Sequence, residues 1–377
     1  MRRKVRERRR LGRQLAPCLG LRALGKPSFV AQQKVLQLVV DRAVADDNRR
    51  GPHTSYLRDL GNDTRNVIPA HNQFLRFARE YHMPYVNVHG VKLFYEEYGA
   101  GPAVILTPGG RVDRNGLRPI AALLSRKCRV IIHDRRNCGR SDVVIGGELS
   151  EQHLGAEEMA GLLVQVGAAP AYAAGGSAGS RTSLALAVRH PEVVKGVLIW
   201  EVSGGPRSGA LMAHGYYGQY IDAAQRGGMA AVAATEFFAQ RIQDNPSNRD
   251  RLLSMDVQEF CAVMQRWSDA FAAPNPVGDL TEEQLKSITC PVVVFAGNTP
   301  DEVHHTSAAE AVHRLVPHTE LRPSAWTHEE WDVVGQHDHT FPGIAATNRY
   351  AMKATVYAAA LLEFIDRVEG RGAPRRA

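Results

Sequence analysis

Long apolar runs are missing from this chain. No stretch of about 18 consecutive apolar residues occurs, the least a helix needs to cross a bilayer, so no membrane span is expected. The opening Met1-Arg2-Arg3-Lys4-Val5-Arg6-Glu7-Arg8-Arg9-Arg10 lacks the apolar core of a secretory signal. Cysteine is scarce: Cys18, Cys128, Cys138, Cys261 and Cys290 are too few and too scattered for a disulfide framework or a zinc site, and free thiols in a reducing cytoplasm are expected. The helical H-E-x-x-H spacing is absent as well. His304-His305 and His337-Asp338-His339 therefore read as loop histidines, and neither a metal nor any other cofactor is expected. A basic surface is lacking where it would matter. Residues 1–82 hold 18 Lys and Arg against 7 Asp and Glu, whereas the remainder holds 28 against 32, so the net charge of +7 belongs to the extension. The body gives no reason to expect nucleic acid as a partner.

What is present is an ordinary soluble composition, 44% hydrophobic and 23% charged, in a chain long enough for one large domain with an insertion. Its organising stretch runs from Ala171 to Val188: a short apolar run, the pair Gly175-Gly176, then Ser177-Ala178-Gly179 and an Ala- and Leu-rich segment of helical character. G-x-S-x-G between strand and helix is a nucleophile elbow. The serine sits in a cramped backbone turn, its neighbours must be small, and the helix turns its first amides toward the hydroxyl. Ser177 is the candidate nucleophile.

Residues 1–82 read as a basic disordered extension, because Met83 is followed directly by strand-forming sequence. Tyr85 to Val88 and Val91 to Tyr98 flank His89-Gly90 as a hairpin, and Ala103 to Thr107 is a continuously apolar third strand. A helix is predicted over 117–126, a strand over 129–134, a helix over 150–166, the elbow strand over 171–174, its helix over 178–190 and a strand over 197–200. This alternation implies right-handed βαβ crossovers and a mainly parallel sheet. It then stops: residues 203–286 offer only helical stretches and read as a lid. The lid's aromatics and methionines could line an acyl pocket, but most are expected to form its own core. Thr281 and Gln284 form a capping box. Strands at 291–296 and 320–323, a helix over 307–315 and an amphipathic helix over 346–368 close the core, followed by a disordered tail, 369–377.

On these features the chain resembles the α/β-hydrolase fold family, over residues 84–368. Besides the elbow, Pro108-Gly109-Gly110 looks like that family's oxyanion loop, and His133-Asp134-Arg135-Arg136-Asn137-Cys138-Gly139-Arg140-Ser141 is similar to its D-x-R-G-x-G-x-S loop, with Asn137 where glycine is usual. The segment from Pro291 to Asp301 resembles the strand and loop that deliver the triad acid. The resemblance implies an α/β fold with a mainly parallel eight-stranded sheet, a helical lid after the sixth strand, and core segments 83–202 and 287–368. It implies a triad in the order Ser177, Asp301, His328. Glu302 and Glu201 remain alternatives for the acid, and His337 and His339 for the base. The backbone N–H groups of Gly110 and Ala178 are the implied oxyanion hole. Arg111, beside that loop, reads as a solvated surface arginine rather than a ligand for an acidic group.

The activity implied is that of a cofactor-free serine hydrolase which cleaves a carboxylic ester of a small molecule through an acyl-enzyme. Serine at the elbow argues against haloalkane dehalogenases and epoxide hydrolases of this fold, which use aspartate there. Lactonases, perhydrolases, C–C bond hydrolases and proline iminopeptidases stay open, the last with Ala178 in place of their bulky aromatic. The alternative of another class is a non-catalytic protein that keeps the pocket without the chemistry. Oligomeric state is not legible.

Overall fold

The computed structural model describes residues 85–298, 301–330 and 352–371, all in the second of the two units into which the chain divides, 69–377. The predicted extension 1–82, Cys18, His337, His339, the start of the closing helix and tail residues 372–377 lie outside the described residues.

Strands β1 (Tyr85–Val88) and β2 (Val91–Tyr98) form the expected hairpin, with the Gly90 N–H donating to Asn87 Oδ1. Then follow β3 (Ala103–Thr107), helix α1 (Arg118–Leu124), β4 (Arg129–His133), α2 (Glu151–Gln165), β5 (Ala171–Ser177), α3 (Ala178–Arg189) and β6 (Val194–Val202). After β6 come α4 (Gly205–Ala213), a wide π turn (His214–Gly218), α5 (Gln219–Ala233), α6 (Glu236–Asp244), α7 (Asn248–Leu253), α8 (Val257–Ala272) and α9 (Glu282–Lys286). Finally β7 (Val292–Phe295), α10 (Thr306–Leu315), β8 (Thr319–Arg322) and α11 (Ala354–Val368) complete the chain. The eight strands form one sheet in the order β1-β2-β4-β3-β5-β6-β7-β8, antiparallel at β1/β2 and β2/β4 and parallel from there on.

The apolar strands are buried on both faces because residue alternation sends neighbours to opposite sides. Ile105, Ile131, Ala173 and Val294 join one core with Met159 and Leu162 of α2, Leu184 and Leu186 of α3 and Val312 of α10. Val104, Leu106, Val130, Ile132, Ala174 and Val293 join the other with Leu117, Ile120 and Leu124 and with Tyr357, Leu361 and Phe364 of α11. Trp200 stacks on Tyr357 there, centroids 4.3 Å apart.

The helical stretch after β6 packs largely on itself, as expected. Tyr217, Tyr220, Phe238, Phe260, Met264 and Trp267 form a third core, joined by Val143 and Ile145 from the segment after β4. The Thr281 and Gln284 capping box is present in full. Two local expectations differ. β5 continues through Gly175-Gly176 to Ser177, because β3 pairs with it as far as Gly175 and β6 as far as Ser177, supplying the ladder that glycine propensity argues against. Glu369, assigned to the tail, is held by Lys195 Nζ at 2.8 Å and by the Tyr172 hydroxyl at 3.0 Å. Among the described residues no helix is long and apolar enough to cross a membrane.

Candidate active site

Ser177 ends β5 and begins the turn into α3 with φ 55° and ψ −119°, a conformation that costs an L-residue about 1–3 kcal/mol. Close packing forces this turn and explains its glycines. A Cβ on Gly175 or Gly179 would run into the carbonyl oxygen of Thr107 at the end of β3, and one on Gly176 would strike the indole of Trp200. Small hydroxyl residues hold the first turn of α3. Ser180 Oγ donates to the Ser177 carbonyl (2.6 Å), Thr182 Oγ1 to that of Ala178 (2.9 Å) and Ser183 Oγ to that of Gly179 (2.8 Å).

The side chain that meets Ser177 Oγ is His304, through Nε2 at 2.9 Å. The other ring nitrogen, Nδ1, lies 2.7 Å from Asp301 Oδ2. Asp301 Oδ1 accepts the backbone N–H groups of Val303 (2.9 Å) and His304 (3.1 Å), so the carboxylate both curls the loop and orients the ring. Gly297 lets that loop fold back, since a Cβ there would overlap the His304 carbonyl. Burial alone would push the Asp301 carboxyl up, but the His304 ring and the two amides outweigh it and hold the pKa below the ordinary value. An ionised Asp301 can only accept, so Nδ1 carries the proton and the Nε2 lone pair faces the serine O–H. Ser177, His304 and Asp301 are all nearly covered, and Ser203, at the end of β6, brings its Oγ within 3.5 Å of Ser177 Oγ.

Of the residues singled out from sequence, Ser177 and Asp301 are brought together and His328 is not. His328 is exposed at the start of a helical stretch after β8, and the place beside Ser177 that it was expected to fill is held by His304. The physical reason is reach: Asp301 is three residues from His304 in one tight loop, so acid and base arrive together. Glu302 is exposed. Glu201 is buried with φ 45°, its Oε1 accepting the Trp326 indole N–H at 3.2 Å. His305 turns away, its Nδ1 2.9 Å from Ser307 Oγ. The signal that could have found His304 is Asp-x-x-His at 301–304, which satisfies the Ser, Asp, His order as well as His328 does.

The loop after β3 carries Gly109 and Gly110 beside this centre. Arg135 Nη2 donates to the Gly109 carbonyl at 2.6 Å. In a trans peptide the Gly110 N–H then points away from Arg135. Gly110 has no room for a side chain because the Tyr216 hydroxyl packs on it. Arg111 is not the solvated residue expected from sequence. It pairs with Glu151 (3.1 Å), donates to the Tyr216 carbonyl (2.7 Å), and sits over the rings of Tyr216, Tyr217 and Phe237 at 5.1–5.3 Å. It thereby ties the oxyanion-type loop to the helices after β6. Burial would raise the Glu151 carboxyl, but Arg111 and Arg135 hold it below its ordinary value. The D-x-R loop is rigid in its own way. Asp134 accepts the N–H groups of Arg114 and Arg140 (2.9 Å each) and Arg114 Nη1 (3.0 Å), and Gly139 lies flat against its carboxylate.

Comparison with known proteins agrees with this architecture. Residues 102–202 match the family model described as alpha/beta hydrolase fold. The uncharacterized hydrolase YraK of Bacillus subtilis is 33% identical over 111 residues, 29% of this chain and 40% of that protein. The putative carbamate hydrolase RutD of Azorhizobium caulinodans is 31% identical over 130 residues, 34% of this chain and 48% of that protein. In both, the match spans less than half of the relative's length. Among solved structures, the enol-lactonase from Burkholderia xenovorans LB400 superposes with a TM-score of 0.50 at 18% identity, over 75% of this chain and 99% of that one, a likeness of fold.

Proposed function

We propose that this chain, whose residues 102–202 match the alpha/beta hydrolase fold model, is a serine hydrolase that cleaves a carboxylic ester of a small molecule through an acyl-enzyme. Ser177 is the nucleophile, His304 the general base and Asp301 the acid that orients it. One observation carries this reading: the unbroken path of 2.9 Å from Ser177 Oγ to His304 Nε2 and 2.7 Å from Nδ1 to Asp301. The names of the two sequence relatives, both hydrolases, agree with transfer of an acyl group to water.

In this mechanism Ser177 Oγ attacks the ester carbonyl carbon while its proton passes to His304 Nε2. The carbonyl electron pair moves onto oxygen, where the N–H groups of Ala178 and Gly110 receive it. Each such donor contributes about 3 kcal/mol to the transition state. Asp301 stabilises the imidazolium that forms. His304 then gives its proton to the departing alcohol. Water, deprotonated by His304, attacks the acyl carbon, the carboxylic acid leaves, and Ser177 recovers its proton. The helices between β6 and β7 serve as the lid that keeps bulk water off the acyl-enzyme, with Arg111 as their clasp. The enzyme works in the cytoplasm, in keeping with the free thiols Cys128, Cys138, Cys261 and Cys290 among the described residues. Its partner is a small molecule rather than nucleic acid or a membrane.

The test is a burst of p-nitrophenol from a short-chain ester with labelling of Ser177 by a fluorophosphonate. Ser177→Ala and His304→Ala should each lower kcat/KM by about a thousandfold or more, whereas His328→Ala should leave it within about twofold. Full activity in His304→Ala with loss in His328→Ala would reassign the base, and absence of both burst and label would reject the hydrolase reading.

A further inference from the structure

Beside the elbow, between α3 and the helices after β6, lies a small cavity of about 20 Å³ whose wall includes Ala178, Arg181, Gln152, Asp279, Tyr217 and Phe271. A cationic side chain is buried in it without a hydrogen-bonding anion. Arg181 is 7% exposed, four residues beyond Ser177 on α3, and neither its Nε nor its Nη1 has a hydrogen-bond partner. Its guanidinium lies 4.4 Å from the centroid of the Phe271 ring, which fixes its plane but accepts no conventional hydrogen bond. Burial, with Arg135 nearby, lowers its pKa more than Tyr216, Tyr217 and Asp279 raise it, so the charge is only partly compensated.

The carboxylates nearby are otherwise occupied or turned aside. Glu151 already takes Arg111, the Asn137 amide (3.1 Å) and the Tyr217 hydroxyl (3.0 Å). Asp279 directs Oδ2 toward His153 Nε2 at 3.4 Å and leaves Oδ1 without a partner. Both amide atoms of Gln152 also lack partners, and Gly278, at φ 57°, lets the backbone pass close to Gln152 and Arg181 where a Cβ would collide. Arg135 adds a second cation on the same wall. A buried guanidinium left unpaired is costly, and the structure keeps one next to the residue whose N–H faces the reacting carbonyl.

Resting on the reading of Ser177 as nucleophile, we propose that this cavity is the subsite for a free carboxylate on the substrate, held by Arg181, so that the ester cleaved is that of an acid or alcohol bearing a second, ionised carboxyl group. The geometry favours carboxylate over larger anions. A planar guanidinium matches the two oxygens of a carboxylate bidentately, and a space of this size takes one or two water-sized groups. From Ser177 to Arg181 the helix rises only about 6 Å, so the anion lies a few bonds from the scissile carbonyl. The Gln152 amide and the second cation, Arg135, supply further donors for it.

The experiment compares matched pairs on the full chain: the p-nitrophenyl monoester of glutaric acid against p-nitrophenyl pentanoate, and butyryloxyacetate against ethyl butyrate, so that the carboxylate is on the acyl side in one pair and on the alcohol side in the other. In at least one pair the anionic ester should have a kcat/KM about 10- to 100-fold higher. Arg181→Gln should erase that advantage through KM, Arg181→Lys should restore part of it, and Asp279→Asn, by removing a competing negative charge, should enlarge it. If neither pair shows a preference, or if Arg181→Gln lowers anionic and neutral esters alike, the subsite is overturned and Arg181 is a structural residue paired with Asp279. Calorimetric titration of Ser177→Ala with glutarate separates this from the hydrolase reading. Binding weakened about 10- to 100-fold by adding Arg181→Gln upholds the subsite even if no ester is cleaved, and binding unchanged by it overturns the subsite even if esters are.

Discussion

Two loops leave the same end of the sheet, one after β4 and one after β7, and each delivers a largely covered aspartate. Around Asp134 the partners are a guanidinium and backbone amides: Arg114, itself bonded to Glu96 at 2.7 Å, and the N–H groups of Arg114 and Arg140. Ser141 Oγ closes the loop by donating to the Asp134 carbonyl and accepting from the Phe94 N–H. Nothing in that arrangement moves a proton at pH 7, because a guanidinium stays charged. Around Asp301 the amides recur, but the charged partner is an imidazole whose far nitrogen touches a hydroxyl. Burial pushes the Asp134 carboxyl up against the pull of Arg114, whereas the partners of Asp301 outweigh its burial. The more strongly patterned loop pairs its aspartate with a fixed charge, and the less patterned one pairs its aspartate with a ring that reaches Ser177. What a buried carboxylate does is decided by whether its partner can titrate.

Exchanging each aspartate for asparagine is the strongest way to break this comparison. Asp301→Asn keeps the shape but lets the amide donate to Nδ1, so His304 takes the wrong tautomer. The expected loss in kcat is about 10⁴-fold, with little change in denaturation midpoint. Asp134→Asn should do the reverse, costing about 3 kcal/mol of stability in urea unfolding as Arg114 loses one of its two buried counter-charges and keeps only Glu96, while the fraction that remains folded keeps its kcat. A large loss of kcat in folded Asp134→Asn would put that loop into the chemistry after all.

A smaller effect separates the histidines that the two loops begin from or contain. His133, the last residue of β4, is fully buried with Nε2 3.1 Å from Thr107 Oγ1, and burial, helped by Arg135, lowers its pKa to about 3. Its folded pKa lies below the ordinary value of 6.5, so between those two values the unfolded chain binds the extra proton. Its contribution to stability is therefore complete above pH 6.5 and is lost as pH falls toward 3, by about 1.4 kcal/mol per pH unit. Stability measured at pH 5 and pH 7 should differ by about 2 kcal/mol more in the wild type than in His133→Gln. Equal differences would mean that His133 reaches solvent in the native state.

Much of the fold was legible because the strands announce themselves twice, by apolar runs and by the turns that bound them. β3 and β7 are apolar in nearly every position and β4 through its middle three, since both faces are covered, and the elbow is written in its glycines. The histidine that meets Ser177 was not legible. His304 and His328 both follow Asp301 in the chain, and what separates them is a loop that folds back over Gly297, a close approach visible only in three dimensions. Arg111 and Arg181 were opaque for a related reason. Their surroundings come from Glu151, Tyr217 and Phe271, 30 to 110 residues away, and no local pattern encodes that a helix inserted after β6 will cover them.

The smallest prediction concerns Asn137, where resemblance to the family points to glycine. Its φ of 62° lies in the left-handed region, where asparagine is among the few side chains that sit without severe strain. Here the side chain is also used: Oδ1 accepts the Val144 N–H at 2.8 Å, and Nδ2 donates to Glu151 at 3.1 Å, linking the D-x-R loop to the carboxylate that anchors Arg111. Asn137→Gly would relieve a little backbone strain, free the unfolded chain, leave the half-buried Val144 N–H without its acceptor, and take one of two donors from Glu151 Oε1, which keeps Arg111. We expect a net loss of about 1–2 kcal/mol in thermal or urea unfolding, with kcat unchanged. A gain in stability instead would mean that these two bonds add nothing and that the loop would be better served by the glycine its pattern calls for.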